Sequence, residues 1–328
     1  MRNKIIAIMM SMILCLTMTG CGENEIPEET SSSESAASVS NGKLKSDSVV
    51  IAVGKTTVTY DEFLAYCYFM KNPYAGMIDD EVWNYNKVGE EGKTIGQEAL
   101  EAVLRLMIQV KVICKEAAVE NIALETDEKE QASYNAKTVC DKINEAEKAA
   151  NGINTKMVTN IFQENKLAQK MYNIQLGKVD AHIQDNQLKA SRVQFIYRKA
   201  KDDNRNEVKK KVDEIYRSVT EKNSNFYALA KEYSEAAEVE TIIGQGDKRA
   251  NVANVAVHLK AGQTSDIISE KDGFYIIHCV QPNSKEIQEQ YKNQLILEKQ
   301  TQAFQKAYKN WAEKFEVRVS KSLLASEK

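Results

Sequence analysis

The sequence predicts an α+β protein, in which both chain ends form a discontinuous α-helical domain and a smaller α+β domain is inserted between them. Apolar residues recur at spacings of three and four in residues 100–114, 157–171 and 287–311, which is typical of amphipathic helices. Residues 193–197 and 273–280 are short runs rich in β-branched and aromatic residues, which favours strands. The 328 residues include only 3 prolines, and this scarcity favours long helices.

A short apolar run opens the chain. Arg2 and Lys4 precede residues 5–16, which are too few to span a bilayer as a stable helix and are typical of a signal peptide. The run ends in Met18-Thr-Gly-Cys21, which resembles the lipobox of bacterial lipoproteins. We therefore expect a lipoprotein signal peptide over residues 1–20 and lipidation of Cys21, which would anchor the protein on the outer face of the cytoplasmic membrane, as in Gram-positive bacteria. Ordinary secretion is the alternative.

Residues 21–48 are rich in serine and glutamate and contain no aromatic residue. Such a composition buries too little apolar surface to order itself. The sequence therefore predicts a disordered tether over this range.

The ordered part begins with the apolar strand at residues 49–53 and a turn. The capping box at residues 59–62 follows and opens an amphipathic helix that is expected to continue through Met70. A longer helix follows over residues 100–114, and apolar side chains cover most of its circumference. We expect it to be the central helix of a bundle. A further helix is expected from its cap at Asn154 to its stop at Gly177.

The stretch from residue 190 to residue 282 has a different plan. A strand at residues 193–197 is followed by a helix that Asn204 caps and by a second amphipathic helix at residues 226–233. Gly244-Gln-Gly246 is typical of a loop, and the stretch closes with the strand at residues 273–280.

This stretch resembles a parvulin-type peptidyl-prolyl isomerase domain. The resemblance depends on the opening strand and on four further segments in the expected order, namely residues 226–234, 244–246, 259–265 and 273–277. It implies a four-stranded antiparallel sheet surrounded by helices. We expect the parvulin-like domain to cover residues 187–283.

The resemblance also implies a pocket with a histidine on each of two central strands, an Asp or Cys between them, and a Met and a Phe under the substrate proline. In this sequence the histidine positions fall on Gln194 and Tyr275, the Met position on Lys248, the Phe position on Val252 and the Asp or Cys position near Val239. All five depart from the pattern. We therefore expect the domain to keep the fold with little or no isomerase activity.

The alternative is an active isomerase with a different pocket. In that case Gln194 and Tyr275 would supply hydrogen bonds to the twisting amide. His278 lies three residues beyond the matching position, so it is expected on the opposite face of the strand from Tyr275.

The whole plan resembles the PrsA-type foldase lipoproteins and the related SurA chaperones. The strand at residues 49–53, the Thr-x-x-Glu motif that follows it and the bend at residues 120–128 carry this part of the resemblance. We expect residues 49–186 and 284–323 to form the helical domain, with the last helix and the strand at residues 315–319 packed on the first half.

The resemblance implies a chaperone or foldase that binds unfolded or folding exported proteins on an exposed apolar surface. An aromatic-rich stretch that does not look like regular helix provides the candidate client-binding residues, which are Phe69, Met70, Tyr74, Met77 and Trp83. These residues could equally form the core of a loop. A lipoprotein adaptor for one specific partner is a further alternative, and dimerisation through the helical domain is left open.

Charge and residue counts limit the other functions. The formal net charge is -3 and the isoelectric point is about 5.9, which gives no field suited to nucleic acid. His182, His258 and His278 are scattered, so neither a metal site nor a bound cofactor is expected.

Four cysteines follow the lipobox, and all lie at apolar positions of predicted elements, where a free thiol behaves as a small hydrophobe. We expect them to be unpaired. Cys114 and Cys140 are the pair to test for a disulfide, since their helices should be neighbours.

Overall fold

A computed structural model describes residues 34–71, 80–86, 94–221 and 224–325, and it confirms the α+β fold class. The chain divides into two compact units. The first contains Met1–Val179 and Thr301–Lys328, so both chain ends belong to it, and the second contains Asp180–Gln300.

The helices and strands of the described residues follow the expected periodicities. In chain order they are β1 (Val49–Val53), β2 (Thr56–Thr59), α1 (Tyr60–Lys71), α2 (Ile95–Val119), α3 (Thr126–Cys140), α4 (Glu145–Ala150), α5 (Thr155–Gly177), β3 (Ala190–Lys199), α6 (Arg205–Thr220), α7 (Phe226–Tyr233), β4 (Glu240–Gly244), α8 (Ala250–Ala256), β5 (Ile268–Glu270), β6 (Gly273–Gln281), α9 (Lys285–Ala312), β7 (Val317–Val319) and α10 (Lys321–Ala325).

The first unit contains a small antiparallel sheet in the order β2-β1-β7. Its two halves come from opposite ends of the chain, because Ile51 of β1 pairs with Val319 of β7. Gly54 makes the turn between β1 and β2 with a φ of 53°, which glycine adopts without steric cost.

Residues 34–48 differ from the predicted tether. Ala36 is buried, and the backbone N–H of Ala37 donates to the carbonyl of Gly54 over 2.8 Å. Ser40 donates its backbone N–H to Val49 over the same distance. The composition of this segment does not bury much surface, but its backbone groups find partners on the edge of the sheet.

Helix α2 is central in the first unit, as the sequence predicts. Leu104, Met107 and Ile113 are completely buried. They belong to one core with residues of α1 and α5 and with Phe304 and Trp311 from the second half of α9. Caps predicted from sequence also form, since the Asn154 side chain accepts a hydrogen bond from the backbone N–H of Met157 over 2.9 Å.

A charged cluster lies inside this helical core. The Lys111 ammonium on α2 lies 2.8 Å from the carboxylate of Glu62 on α1 and 2.6 Å from that of Glu164 on α5. Its side chain is only 5% exposed, so the two carboxylates compensate a charge that water hardly reaches. Beside them, Asn165 donates through its side chain to the Tyr66 hydroxyl over 3.0 Å. One cluster thus links three helices.

The second unit contains a four-stranded antiparallel sheet in the order β4-β3-β6-β5. Helix α8 covers one face together with inward side chains such as Val193 and Ile277. Helices α6 and α7 cover the other face, against Ile196 and Ile276. We call these the α8 face and the α7 face.

Strand β4 is not predicted from the sequence, but the loop expected at residues 244–246 follows it, since residues 245 and 246 form a turn. Gly244 is the last residue of the strand, and a side chain would not fit there. A Cβ on Gly244 would approach the ring of Tyr291 to 2.4 Å and the backbone oxygen of Lys189 to 2.8 Å. The glycine therefore reflects a close approach within a strand.

The first half of α9 packs on the second unit. Ile287 and Tyr291 are buried against Ala190 and Ile242. This contact is why residues 285–300 belong to the second unit, whereas the sequence analysis assigns the whole helix to the helical domain.

The described cysteines form no disulfide in this fold. They are Cys67, Cys114, Cys140 and Cys279, so no bridge joins Cys114 and Cys140. Burial raises the pKa of Cys114 to about 12, which makes its thiolate scarce at neutral pH.

Candidate functional site

Tyr275, which occupies one of the two predicted histidine positions, is a core residue of the α8 face. Its side chain is 4% exposed. Its ring stacks on that of Tyr197 at a centroid distance of 4.8 Å, and its hydroxyl donates to the Asp272 carboxylate over 2.9 Å. Burial, reinforced by this acidic partner, raises the pKa of the phenol. The ring is therefore held by the protein's own side chains.

The other predicted histidine position, Gln194, lies on the opposite face, so the prediction that it shares a pocket with Tyr275 is wrong. In the antiparallel pairing of β3 and β6, Gln194 is opposite His278 and Tyr197 is opposite Tyr275. Successive side chains of a strand alternate between the two faces of the sheet. Gln194 and His278 therefore lie on one face, and Tyr197 and Tyr275 lie on the other. The residue of β3 that contacts Tyr275 in its place is Phe195, with ring centroids 6.5 Å apart. Phenylalanine has no proton to transfer.

The other two predicted pocket residues are separated as well. Val252 on α8 is completely buried on the α8 face, whereas the side chain of Lys248 is exposed. The neighbouring Arg249 contacts the face instead, with its guanidinium 5.6 Å from the centre of the Tyr275 ring. Val239, the approximate position of the Asp or Cys, is buried on the α7 face.

A bidentate ion pair fixes Arg249 at this place. Its Nε and Nη2 donate to the two carboxylate oxygens of Asp247 over 2.9 and 2.6 Å. Burial opposes the ionisation of Asp247, but the hydrogen bonds from Arg249 outweigh it and lower the pKa of this carboxyl. The pair is therefore charged at neutral pH and holds the guanidinium over the ring.

Two of the predicted pocket positions on the α8 face lie within one apolar core cluster. The positions that should contact the ring and the amide are occupied by side chains that contact one another, among them Val252 at 0% and Tyr275 at 4% exposure. No histidine lies among the described core residues of this face. Tyr275 and Val252 are thus part of the apolar core of this face.

The α7 face carries an open cavity of about 690 Å³ instead, which the sequence analysis missed. It is lined by the last turn of α6, the first turn of α7, Gln194 of β3 and His278 of β6. The segments are far apart in the chain, so no local motif marks the site. The register of β3 against β6 is the signal that places Gln194 and His278 together.

His278 is half-buried in this cavity, on the opposite face from Tyr275 as predicted. Its ring stacks on Phe226 at a centroid distance of 5.1 Å, and its Nδ1 is hydrogen-bonded to the Thr264 hydroxyl over 2.9 Å. Burial lowers the pKa of the imidazole, which favours the neutral ring. Phe226 and Thr264 therefore cover part of the imidazole ring.

The predicted client-binding residues differ in how far they are buried. Phe69 is buried at 8% exposure in the first unit, so its assignment to an exposed surface is wrong, and α1 includes both it and Met70. Met70 is half-buried on the same core. Trp83 is half-buried too, with the Lys71 ammonium 5.3 Å from its ring centre.

Several predictions concern residues outside the described part of the chain. Tyr74 and Met77 are two of these, and the signal peptide with the lipidation site Cys21 is another. Within the described ranges, none of the helices is long and apolar enough to cross a membrane. The same ranges contain no group of three His, Cys, Asp or Glu side chains that could hold a metal ion.

The second unit belongs to a known domain class. Residues 193–281 match the family model of the rotamase, described as the PPIC-type PPIASE domain. The parvulin-type domain predicted from the sequence is thereby confirmed for this stretch, which is less than half of the chain.

Solved structures provide the remaining comparisons, since no curated protein matches the chain. Peptidylprolyl isomerase PrsA from Bacillus anthracis is 20% identical, with 64% of this chain and 96% of that chain covered and a TM-score of 0.38. For foldase protein PrsA from Streptococcus pneumoniae the identity is 17%, the coverage 74% and 94%, and the TM-score 0.27. A structure from a study of the SurA-like chaperones PEB4 and Cj1289 of Campylobacter jejuni is 11% identical, with 83% of this chain and 99% of that chain covered and a TM-score of 0.32. Such TM-scores leave these likenesses without weight for function.

Proposed function

We propose that this protein is a PrsA/SurA-type chaperone or foldase, anchored outside the cytoplasmic membrane, whose parvulin-type domain has lost its isomerase slot. The observation that carries the proposal is the closed α8 face. Residues 193–281 match the PPIC-type model, and the proposal is supported by the burial of two predicted pocket positions, Tyr275 and Val252, at 4% and 0% exposure. Binding of non-native chains without bond isomerisation is the function that such a domain can retain.

The N-terminal sequence supports an exported, lipid-anchored protein. An apolar run preceded by Arg2 and Lys4 ends in a lipobox-like motif at Cys21. We propose the outer face of the cytoplasmic membrane as its location and Cys21 as the lipidation site. Unfolded or folding exported proteins are then the available partners.

Client binding by the first unit is proposed for the exposed end of the stretch around Trp83. Trp83 is half-buried and Tyr85 is 56% exposed, so an aromatic surface is accessible there. Phe69 has no part in it, because its ring is used by the core.

Aggregation of two unrelated, chemically unfolded proteins, followed by light scattering, tests this proposal. The mature chain is expected to suppress the aggregation of both. Trp83→Ala should raise the concentration needed for half-suppression by about three- to tenfold, as is common for an aromatic anchor of an interface. Tyr134→Ala is the matched control, because Tyr134 is a 68% exposed aromatic of the same unit. Equal effects of the two variants would contradict the assignment of Trp83.

Two alternatives give different results. An adaptor for one partner would suppress neither aggregation reaction and would retain one tight ligand in a pull-down. An active isomerase would accelerate the cis to trans conversion of an Ala-Pro peptide. The separation of Gln194 and Tyr275 on opposite faces argues against the pocket that this second alternative requires.

A further inference from the structure

The cavity on the α7 face has an acidic character. Among its described lining residues, Glu221 is the one with a charged side chain, and no described residue pairs with its carboxylate. Glu221 follows the last residue of α6, where the helix dipole also places partial negative charge. Both contributions favour a cationic ligand.

Hydrogen-bond acceptors on other lining residues add to the negative potential of the cavity. The side-chain amide of Gln194 donates through Nε2 to Glu240 over 3.0 Å. Its carbonyl oxygen is thereby oriented away from Glu240, and no described residue donates to it. At the start of α7, the Asn225 side chain accepts from the backbone N–H of Ala228 over 3.1 Å, so this helix end is already capped.

Aromatic rings complete the lining. Tyr227 is 45% exposed, and the Lys231 ammonium lies 5.8 Å from its ring centre, so a ligand cation would share this ring with Lys231. Phe226 and His278, which also line the cavity, stack on each other. The neutral form of His278 adds no positive charge that would repel a cationic ligand.

We propose that this cavity binds the side chain of a lysine or arginine in an extended segment of a non-native protein. The Glu221 carboxylate pairs with the cation, the Gln194 carbonyl oxygen accepts a hydrogen bond from it, and the Tyr227 ring contacts the aliphatic stem. The volume of about 690 Å³ accommodates one long side chain with its flanking backbone. The inference rests on the proposed function, because it assigns a client site to the parvulin-type domain.

Binding of three blocked pentapeptides to the mature chain tests the inference. The peptides carry lysine, norleucine or glutamate at the centre of an otherwise identical glycine and serine sequence. Nuclear magnetic resonance titration gives the affinity and the position of the shifts. The lysine peptide is expected to bind about tenfold or more tightly than the norleucine peptide, as a charge-assisted contact would require. Its shifts should lie at Tyr227, Gly262 and His278.

Glu221→Gln should abolish the preference for lysine over norleucine. Glu214→Gln is the matched control, since Glu214 lies on the same helix, is exposed and does not line the cavity. Equal affinities for the lysine and norleucine peptides, or shifts outside the cavity, would overturn the inference. An unchanged preference in Glu221→Gln would do the same.

The aggregation assay separates this outcome from a failure of the proposed function. If the chain suppresses aggregation but shows no lysine preference, only the cavity assignment is wrong. If the lysine preference is found without any suppression of aggregation, the cavity binds its ligand but the chaperone function is wrong.

Discussion

Replacing Lys111 with methionine is expected to lower the free energy of unfolding of the first unit by about 3–5 kcal/mol, because one partner of a buried ion cluster is removed. The ammonium is the only described cation within contact of the Glu62 and Glu164 carboxylates in the core. Methionine has nearly the same length and cannot compensate either charge. Two carboxylates would then repel each other in a site where their side chains are only 17% and 27% exposed.

Glu164→Gln is expected to stabilise the first unit relative to the parent as the pH rises. Burial raises the pKa of the Glu164 carboxyl, although Lys111 opposes this, and the second carboxylate of Glu62 adds to the increase. A group with a raised folded-state pKa contributes stability below its unfolded-state pKa, and this contribution is lost as the pH rises through the folded-state value. Glutamine does not titrate. The free energy of unfolding of the variant should therefore increase relative to that of the parent as the pH rises from about 4.5 through the folded-state pKa of Glu164.

Denaturant unfolding followed by tryptophan fluorescence measures these effects in the correct unit, since Trp83 and Trp311 are the only two tryptophans and both lie in the first unit. Lys137→Met is the control. Lys137 forms an exposed pair with Asp141 over 2.8 Å, which should contribute less than about 1 kcal/mol. A loss for Lys111→Met as small as that of the control would show that the cluster is accessible to water.

Replacing Tyr275 with alanine is the second large effect, with an expected loss of about 3–5 kcal/mol in the stability of the second unit. The ring is 4% exposed, stacks on Tyr197 and lies beneath the Arg249 guanidinium, so its removal leaves a cavity. Tyr275→Phe keeps the ring and loses the interactions of the hydroxyl with Asp272 and Arg249. It should cost about 1 kcal/mol.

Amide hydrogen exchange of peptides from residues 180–300 reports on this unit, which contains no tryptophan. Tyr227→Ala is the control, because this exposed ring should change stability by less than about 0.5 kcal/mol. A Tyr275→Ala variant as well protected as Tyr227→Ala would mean that Tyr275 faces an open slot. The account of a filled pocket would then be wrong.

Much of the fold is predictable from periodicity and caps. Helix α2 and the helix between Asn154 and Gly177 are marked by apolar spacing and by their end residues, which act locally. Strand β4 is missed, because the glycine that ends it is required by the close approach of Tyr291, a residue far along the chain. The hydrogen bonds of Ala37 and Ser40 to the first sheet are equally non-local.

The site is predictable to a lesser degree. The absence of histidine at the pocket positions is readable from the sequence, but the face on which each residue lies depends on an exact register. An alignment that is displaced by one residue assigns the histidine position to Gln194, which lies on the opposite face from Tyr275. The adjacent Phe195, which does lie on the face of Tyr275, is then overlooked. The burial of Phe69 depends on core residues that distant segments of the chain supply, which the aromatic composition of its own segment does not reveal.

The measurement that tests the central claim most directly is the cis to trans conversion of a short Ala-Pro peptide in the presence of the mature chain. The uncatalysed reaction takes tens of seconds, so acceleration is easily followed. We expect the rate to equal that in buffer, for the parent and for Tyr275→Phe alike, under conditions in which the parent suppresses aggregation. Acceleration by the parent that Tyr275→Phe removes would contradict the account, because it would require an accessible catalytic slot at the position where the structure shows a packed core.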